Sequence, residues 1–390
     1  MRFRDLNINY NRIFLFGLII TALSCKKPYN PPAIQFPGSY LVVEGVINSG
    51  ADSTIIKLSR SVPIAGTQKQ NPELSAVVTI ESDQNEVFAL AEAGNGKYAA
   101  PPLGIIQSHQ YRLRIKTAAN KEYLSAFVPV QTTPPIDSIG YTVTPSGLLV
   151  YANTHDPDDK VQYFKWDYDE DWQFHVDQNS VYIVERGQIS ERTAKNQVYE
   201  CFTNDVSSSI VIGSSAKLVQ HEIYQAPITT IPSTSEKIQL KYSILLRQYA
   251  LTREAYQFWS QLKKNTEQLG SIFDAQPSEI SGNIKCLTNS AEPVIGFISA
   301  NNVQSKRVFI PRSQLQVNWS AKSPYICFTP ATTLYSDRVD NSTAVQVFLV
   351  DTPHLALIID KIGALGYTRA SYECADCTIR GKRDPPPFWR

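Results

Sequence analysis

The 390-residue chain lacks most of the features by which a sequence announces an activity. It contains 1 methionine, and its 37 basic and 36 acidic residues leave a net charge of +1. That balance supplies no electrostatic footprint for nucleic acid. No G-x-S-x-G elbow, H-E-x-x-H pair or phosphate-cradling glycine loop is present, so the usual hydrolase, zinc-protease and nucleotide-binding signatures are missing. The five histidines, His109, His155, His175, His221 and His354, are scattered, with none at ligand spacing. There is one C-x-x-C, Cys374 and Cys377, without the second pair that a structural zinc site needs. It stands near the end of the chain before a proline run, outside the strand–helix context of a thioredoxin-like centre. The sequence therefore predicts no metal and no cofactor. No apolar run reaches the about 20 residues of a membrane-crossing helix.

What is present is a leader. Arg2, Arg4 and Arg12 precede "IFLFGLIITAL", Ile13–Leu23, which has the length of a signal-peptide core. The run ends in "ALSC", a small residue before Cys25, which resembles a bacterial lipobox. Cleavage there would remove 1–24 and place acyl chains, palmitate among them, on Cys25; at about 0.8 kcal/mol per buried CH₂, several chains make a firm anchor. The following "KKPYNPPAIQFPG" reads as a tether over 25–37. An exported chain meets an oxidising compartment, so Cys201, Cys286, Cys327, Cys374 and Cys377 are candidate disulfide cysteines. Five is an odd number: at most two bridges form and one thiol remains, with the connectivity open.

Abundant Tyr, Val, Ile and Thr predict a mainly β fold. "YLVVEGVI", "STIIKLSR", "AVVTIES" and "YRLRIKT" are short strands at regular spacing. In the last, Tyr111, Leu113 and Ile115 alternate with Arg112, Arg114 and Lys116, one face for a core and one for water. An immunoglobulin-like β-sandwich is expected over 38–132, then a linker at Pro134-Pro135. A second β-rich domain over 136–390 carries a single amphipathic helix, 252–269, with Thr252 at its N-cap and Gly270 after its end.

Two acidic stretches, Asp156/Asp158/Asp159 and Asp167/Asp169/Glu170/Asp171, offer oxygens to calcium or a carboxylate pair to a glycosidase, but lack EF-hand spacing. They are expected as solvated turn and strand-edge groups. The tryptophans Trp166, Trp172, Trp259, Trp319 and Trp389 are expected in core or rim, the alternative being a sugar or peptide groove. "RGKRD", Arg380–Asp384, is expected as a solvated tail, and Phe388-Trp389 after the prolines as a docking group.

The block "LTREAYQFWSQLKKNTEQLGSIFDAQPSEISGNIKC", with "YLVVEGVI", "DPDDKVQYFKWDYDEDW", "PVIGFISA", "KRVFI" and "ECADCTIRG…PPPFW", resembles family 4249 of the domains of unknown function, lipoproteins of Bacteroidota. The resemblance implies an outer-membrane location and genes beside TonB-dependent transporters. It implies no reaction. Lys26 and Lys27 leave the periplasmic and the cell-surface face both open. The expected function is a non-catalytic binding or accessory partner of such a transporter, not an enzyme. An adhesion or structural lipoprotein is the alternative, and a secreted hydrolase a more remote one.

Overall fold

The computed structural model describes residues 39–62, 71–218, 222–267, 282–315, 318–339, 342–351 and 356–389. Cys25, His221, His354, Gly270 and the "SIFDAQPSEIS" segment fall outside the described residues. The fold is mainly β.

The first β body uses β1 (Leu41–Asn48), β2 (Thr54–Arg60), β3 (Val77–Ser82), β4 (Val87–Gly94), β5 (Lys97–Ala100), β6 (Gln110–Lys116), β7 (Glu122–Ser125) and β8 (Val128–Gln131). Alternation sets their faces: Tyr111, Leu113 and Ile115 are fully buried with Leu41, Ile56, Leu58 and Ile80. On the opposite face Arg112 and Arg114 share the Glu81 carboxylate at 2.7 and 2.5 Å.

These strands do not complete the body alone. After the helix α1 (Arg253–Glu267) the chain returns as β18 (Ile284–Cys286), β19 (Val294–Ile295) and β20 (Ala300–Asn301). β18 pairs with β7, β19 with β1, and β20 lies parallel between β1 and β8. With β8 also paired to β6, the sheet closes on itself in the order β6-β3-β4-β5-β2-β1-β20-β8. Closure removes the open edges that a β body would otherwise expose.

Two glycines permit the return. Gly45 has φ +131°, and a Cβ there would stand 2.4 Å from the Ile55 carbonyl oxygen. Gly296 has φ +153°, and its Cβ would stand 2.4 Å from the Val43 oxygen. A side chain at either position is excluded by backbone, so "VEGV" and "VIGF" are packing motifs. Asn283 adds a two-way clasp, accepting from Ile298 N–H and donating to Ile298 C=O, both at 2.8 Å.

The second β body is a two-sheet sandwich. One sheet holds β9 (Ser138–Thr144), β10 (Gly147–His155) and β16 (Glu222–Pro232) in the order β16-β10-β9. The other is built on β11 (Tyr163–His175), flanked by β14 (Glu200–Val206) and β15 (Val211–Ser214) on one side, then by β17 (Lys241–Leu251) and β21 (Gln304–Pro311) on the other. Even-numbered residues of β11, Phe164, Trp166 and Tyr168, face the core with Leu148, Val150, Tyr242, Ile244 and Leu246. Odd-numbered ones face away. Two small sheets complete the chain: the hairpin β12 (Tyr182–Glu185) and β13 (Gln188–Glu191), and β22 (Ala331–Leu334), β25 (Leu357–Ile362) and β26 (Gly366–Ala370). Between β22 and β25 in the chain lies a pair of two-residue strands, β23 (Arg338–Val339) and β24 (Ser342–Thr343).

The Pro134-Pro135 stretch is held between the two bodies. Gln248 is fully buried. Its amide donates to Pro134 C=O at 2.8 Å and to Thr154 Oγ1 at 2.9 Å, and its oxygen accepts from Trp166 Nε1 at 2.8 Å. Thr133 N–H donates to Asn302 Oδ1 at 2.7 Å, Thr133 Oγ1 accepts from Ala250 N–H at 3.1 Å, and Asn301 donates to Ala250 C=O at 3.0 Å. Extended backbone before and at proline has no ladder to join, so side chains satisfy it instead. Tyr40 to Arg390 accordingly form one compact unit.

Glu292 fastens the returning segment to the first body. It accepts from Lys121 at 2.5 Å and Tyr123 at 2.6 Å, with Arg60 at 3.4 Å. Burial alone would raise its pKa, but the Lys121 and Tyr123 hydrogen bonds and the two cations bring it below the ordinary value. A carboxylate depressed in this way contributes stability that is present above the unfolded-state value of about 4.3 and is lost as pH falls through the folded one. Glu292→Gln should cost about 2 kcal/mol at pH 7. The difference from the parent should shrink below about pH 4. Urea midpoints at the two pH values measure both.

Candidate functional site

The outward face of the large sheet is a charged ladder. Lys165, Asp167, Asp169 and Asp171 lie along it on β11, opposite Tyr249, Arg247, Leu245 and Ser243 of β17. Arg247 donates to Asp167 at 3.0 Å and to both oxygens of Asp169. Burial would lower the Arg247 pKa, but the Asp169 and Asp167 hydrogen bonds hold it above the ordinary value. Arg307 of β21 donates to Asp171 at 2.7 Å and to Ser243 at 2.9 Å. On the inner face Glu170 is buried against Lys237 and accepts from Tyr242 at 2.7 Å. The acidic stretch is thus not solvated as expected. Burial beside strand cations has paired each carboxylate.

At one end of the ladder the sheet, the first β body and α1 enclose a cleft of about 570 Å³. Its floor is Lys165, Asp167, Arg247 and Tyr249; its apolar walls are Trp259, Phe297, Ile55 and Ile210. Glu44 and Gly45 of β1 and the serines Ser53, Ser207, Ser208, Ser209 and Ser299 contribute further lining.

Helix α1 places Trp259. Thr252 Oγ1 caps it by accepting from Ala255 N–H at 3.2 Å. Ala255 and Phe258 face inward, while Lys263 and Glu267 clasp the Ile210 backbone at 2.6 and 2.5 Å and hold the serine loop.

Lys165 is the unusual group. Its ammonium lies 4.9 Å from the Tyr249 ring centroid and 5.0 Å from that of Trp259. The paired oxygen of Asp167 stands at 3.7 Å. About 20% of the side chain remains accessible. Burial lowers the Lys165 pKa, and Asp167 and Glu44 offset only part of that. Burial likewise raises the Tyr249 hydroxyl, with the Asp167 charge adding to the effect. Chemically, the cleft offers aromatic faces, a row of hydroxyls and one cation whose partner is loose.

At the other end the ladder is covered by the C-terminal tail. Cys377 bonds to Cys201 of β14 and Cys374 to Cys327; Cys286 is a buried free thiol. Phe202 and Lys382 exchange backbone hydrogen bonds at 2.8 Å, so the tail extends β14. Arg380 is not solvated as expected: it pairs with Glu236 and lies 4.1 Å from the Phe174 ring centroid, because the bridge at Cys377 draws it in. Trp389 packs edge-on against Phe202 and Phe309 at 5.2 and 5.5 Å, and Phe388 covers Arg307.

The other predicted groups are placed apart. Asp156 accepts from the N–H groups of Asp158, Lys160 and Val161, closing a turn with its own carboxylate. His155 pairs with Asp137 at 2.8 Å, His109 stands 3.5 Å from Glu86, and His175 Nδ1 meets Val176 C=O at 2.9 Å. Among the described residues no three His, Cys, Asp or Glu side chains form a group able to hold a metal. Trp166 and Trp319 are buried in the sandwich core, and Trp172 donates to Glu236 at 3.1 Å. Trp259 and Trp166 both line the cleft. Lys165, Tyr249 and Arg247 were not singled out from sequence. The available signal was a lysine on the outward side of an otherwise acidic strand.

The family described as Domain of unknown function (DUF4249) matches residues 26–307. The chain belongs to that family. The DUF4249 region contains every residue of the cleft, the return through β18–β20 and the first half of β21. It ends before both members of the C-x-x-C, so "ECADCTIRG…PPPFW" lies beyond the match. A comparison with curated proteins gives no match.

Replacing Cys201 and Cys377 by Ala should lower stability by about 2–4 kcal/mol, since the bridge closes a long loop. Carboxypeptidase digestion should then trim the residues after Cys377, which resist it in the parent.

Proposed function

We propose that this chain is a lipid-anchored, non-catalytic binding protein that accompanies a TonB-dependent transporter in the outer membrane. The observation that carries the binding part is the cleft. Its rings and hydroxyls stand on two rigid β bodies, and of its carboxylates Asp167 is engaged by Arg247 and Glu44 by Lys57. A carboxylate held by a guanidinium is a poor proton donor to a glycosidic oxygen or a carbonyl. Aromatic faces with a few fixed polar groups are the usual make-up of a ligand site. The anchor is supported by the lipobox at Cys25, and the transporter by the family resemblance.

Mild-detergent purification of the tagged full chain from outer membranes should bring down a TonB-dependent transporter in stoichiometric amount. Its absence, with the lipoprotein itself recovered intact, counts against the accessory role. Trp259→Ala should leave that co-purification unchanged while weakening ligand capture at least about tenfold, which corresponds to about 1.4 kcal/mol.

A further inference from the structure

We propose that Lys165 is a carbonyl-capturing amine, and that the cleft takes a ligand bearing an aldehyde or ketone which Lys165 holds as an imine. The inference goes beyond the accessory reading and does not depend on a transporter.

Three observations place an amine of lowered basicity in reach of a ligand. First, Lys165 lies in the floor of a cleft of about 570 Å³, with 20% of its side chain accessible from that cleft. A ligand can therefore approach the Lys165 side chain without unfolding the sheet. Second, rings stand over the nitrogen: Tyr249 at 4.9 Å and Trp259 at 5.0 Å. Their faces attract the cation, but they displace water and supply no hydrogen-bond acceptor for its N–H groups, and burial outweighs the attraction. Third, its nearest carboxylate oxygen, Asp167 Oδ2, is at 3.7 Å, beyond hydrogen-bond distance, and Arg247 already draws on that carboxylate.

The charged and titratable groups facing Lys165 are Asp167 on its own strand, Arg247 and Tyr249 on β17, and Glu44 and Asp52 on the first β body. Glu44 is itself paired with Lys57 at 3.4 Å. From α1 comes a ring, its nearby charges Lys263 and Glu267 being turned to the Ile210 backbone. The balance favours loss of the proton, in the direction that burial gives. A desolvated lysine is an activated nucleophile toward carbonyls.

The step balances without a further reactant. The neutral amine attacks the carbonyl carbon and forms a C–N bond. The proton leaving nitrogen passes to the carbonyl oxygen by way of solvent water. Loss of that oxygen as water then leaves the C=N bond. Trp259 and Phe297 provide faces on which a conjugated or ring-bearing carbonyl compound can stack.

Benzaldehyde with sodium cyanoborohydride as the trapping reductant tests this on the full chain, with each lysine quantified by peptide mass spectrometry. Lys160, with 77% of its side chain exposed, is the internal reference. At pH 7, Lys165 should be benzylated at least about tenfold faster than Lys160. Its rate should also level off at lower pH than that of Lys160. Labelling at or below the Lys160 rate overturns the proposal. Faster labelling with the same pH midpoint also overturns it, because that result reports only local accumulation of benzaldehyde. Trp259→Leu, which readmits water, should move the Lys165 midpoint up toward that of Lys160, and Trp259→Phe should keep it low. An unmoved midpoint in a folded Trp259→Leu chain overturns the role assigned to the rings.

Discussion

A single buried amide, that of Gln248, governs the relation between the two β bodies. It is inaccessible to water, and both of its ends are used, by Trp166 on one side and by Pro134 and Thr154 on the other. A buried polar group left without partners costs about 1–3 kcal/mol. Displacing the Pro134 segment would therefore unsatisfy several groups together: the amide, the indole N–H and the proline carbonyl. The Thr133, Asn301 and Asn302 contacts act in the same sense. The geometry of the cleft follows from this lock, since β1 supplies one wall and β17 the floor, and the separation of the two is set there.

Along β11 a single alternation produces two kinds of surface. Even positions fill the sandwich core, and odd positions build the charged ladder. The ladder is consumed progressively from the tail end. Asp171 is taken by Arg307 under Phe388, and Asp169 and Asp167 by Arg247. Lys165, at the last rung, receives what remains of Asp167. Its looseness is therefore a property of the whole row and does not arise at the pocket alone.

Local period-two patterning was legible in the sequence wherever one face of a strand meets water, as in "YRLRIKT". The helix was legible from its cap and spacing, and the odd thiol from simple counting. Three features were not legible. The return through Ile284–Asn301 consists of strands of two or three residues, too short for periodicity to register. The partners of Cys374 and Cys377 depend on which strands the tail overlies. The cleft gathers side chains from β1, β11, β17 and α1, which no spacing rule connects. In the acidic stretch the composition was visible, but the cations that neutralise it lie on β17, β21 and the turn at Lys237.

The closed circuit of the first β body has a consequence in time. A chain that emerges N-terminus first presents β1 and β8 long before residue 300 exists, so for that interval each lacks its β20 neighbour. Parallel pairing over such a separation is a slow event, because the loop must close before any contact repays it. Throughout that interval the nascent molecule carries two open strand edges, on β1 and β8, a standing invitation to pair with another chain. Those edges are covered only as the last quarter of the polypeptide arrives.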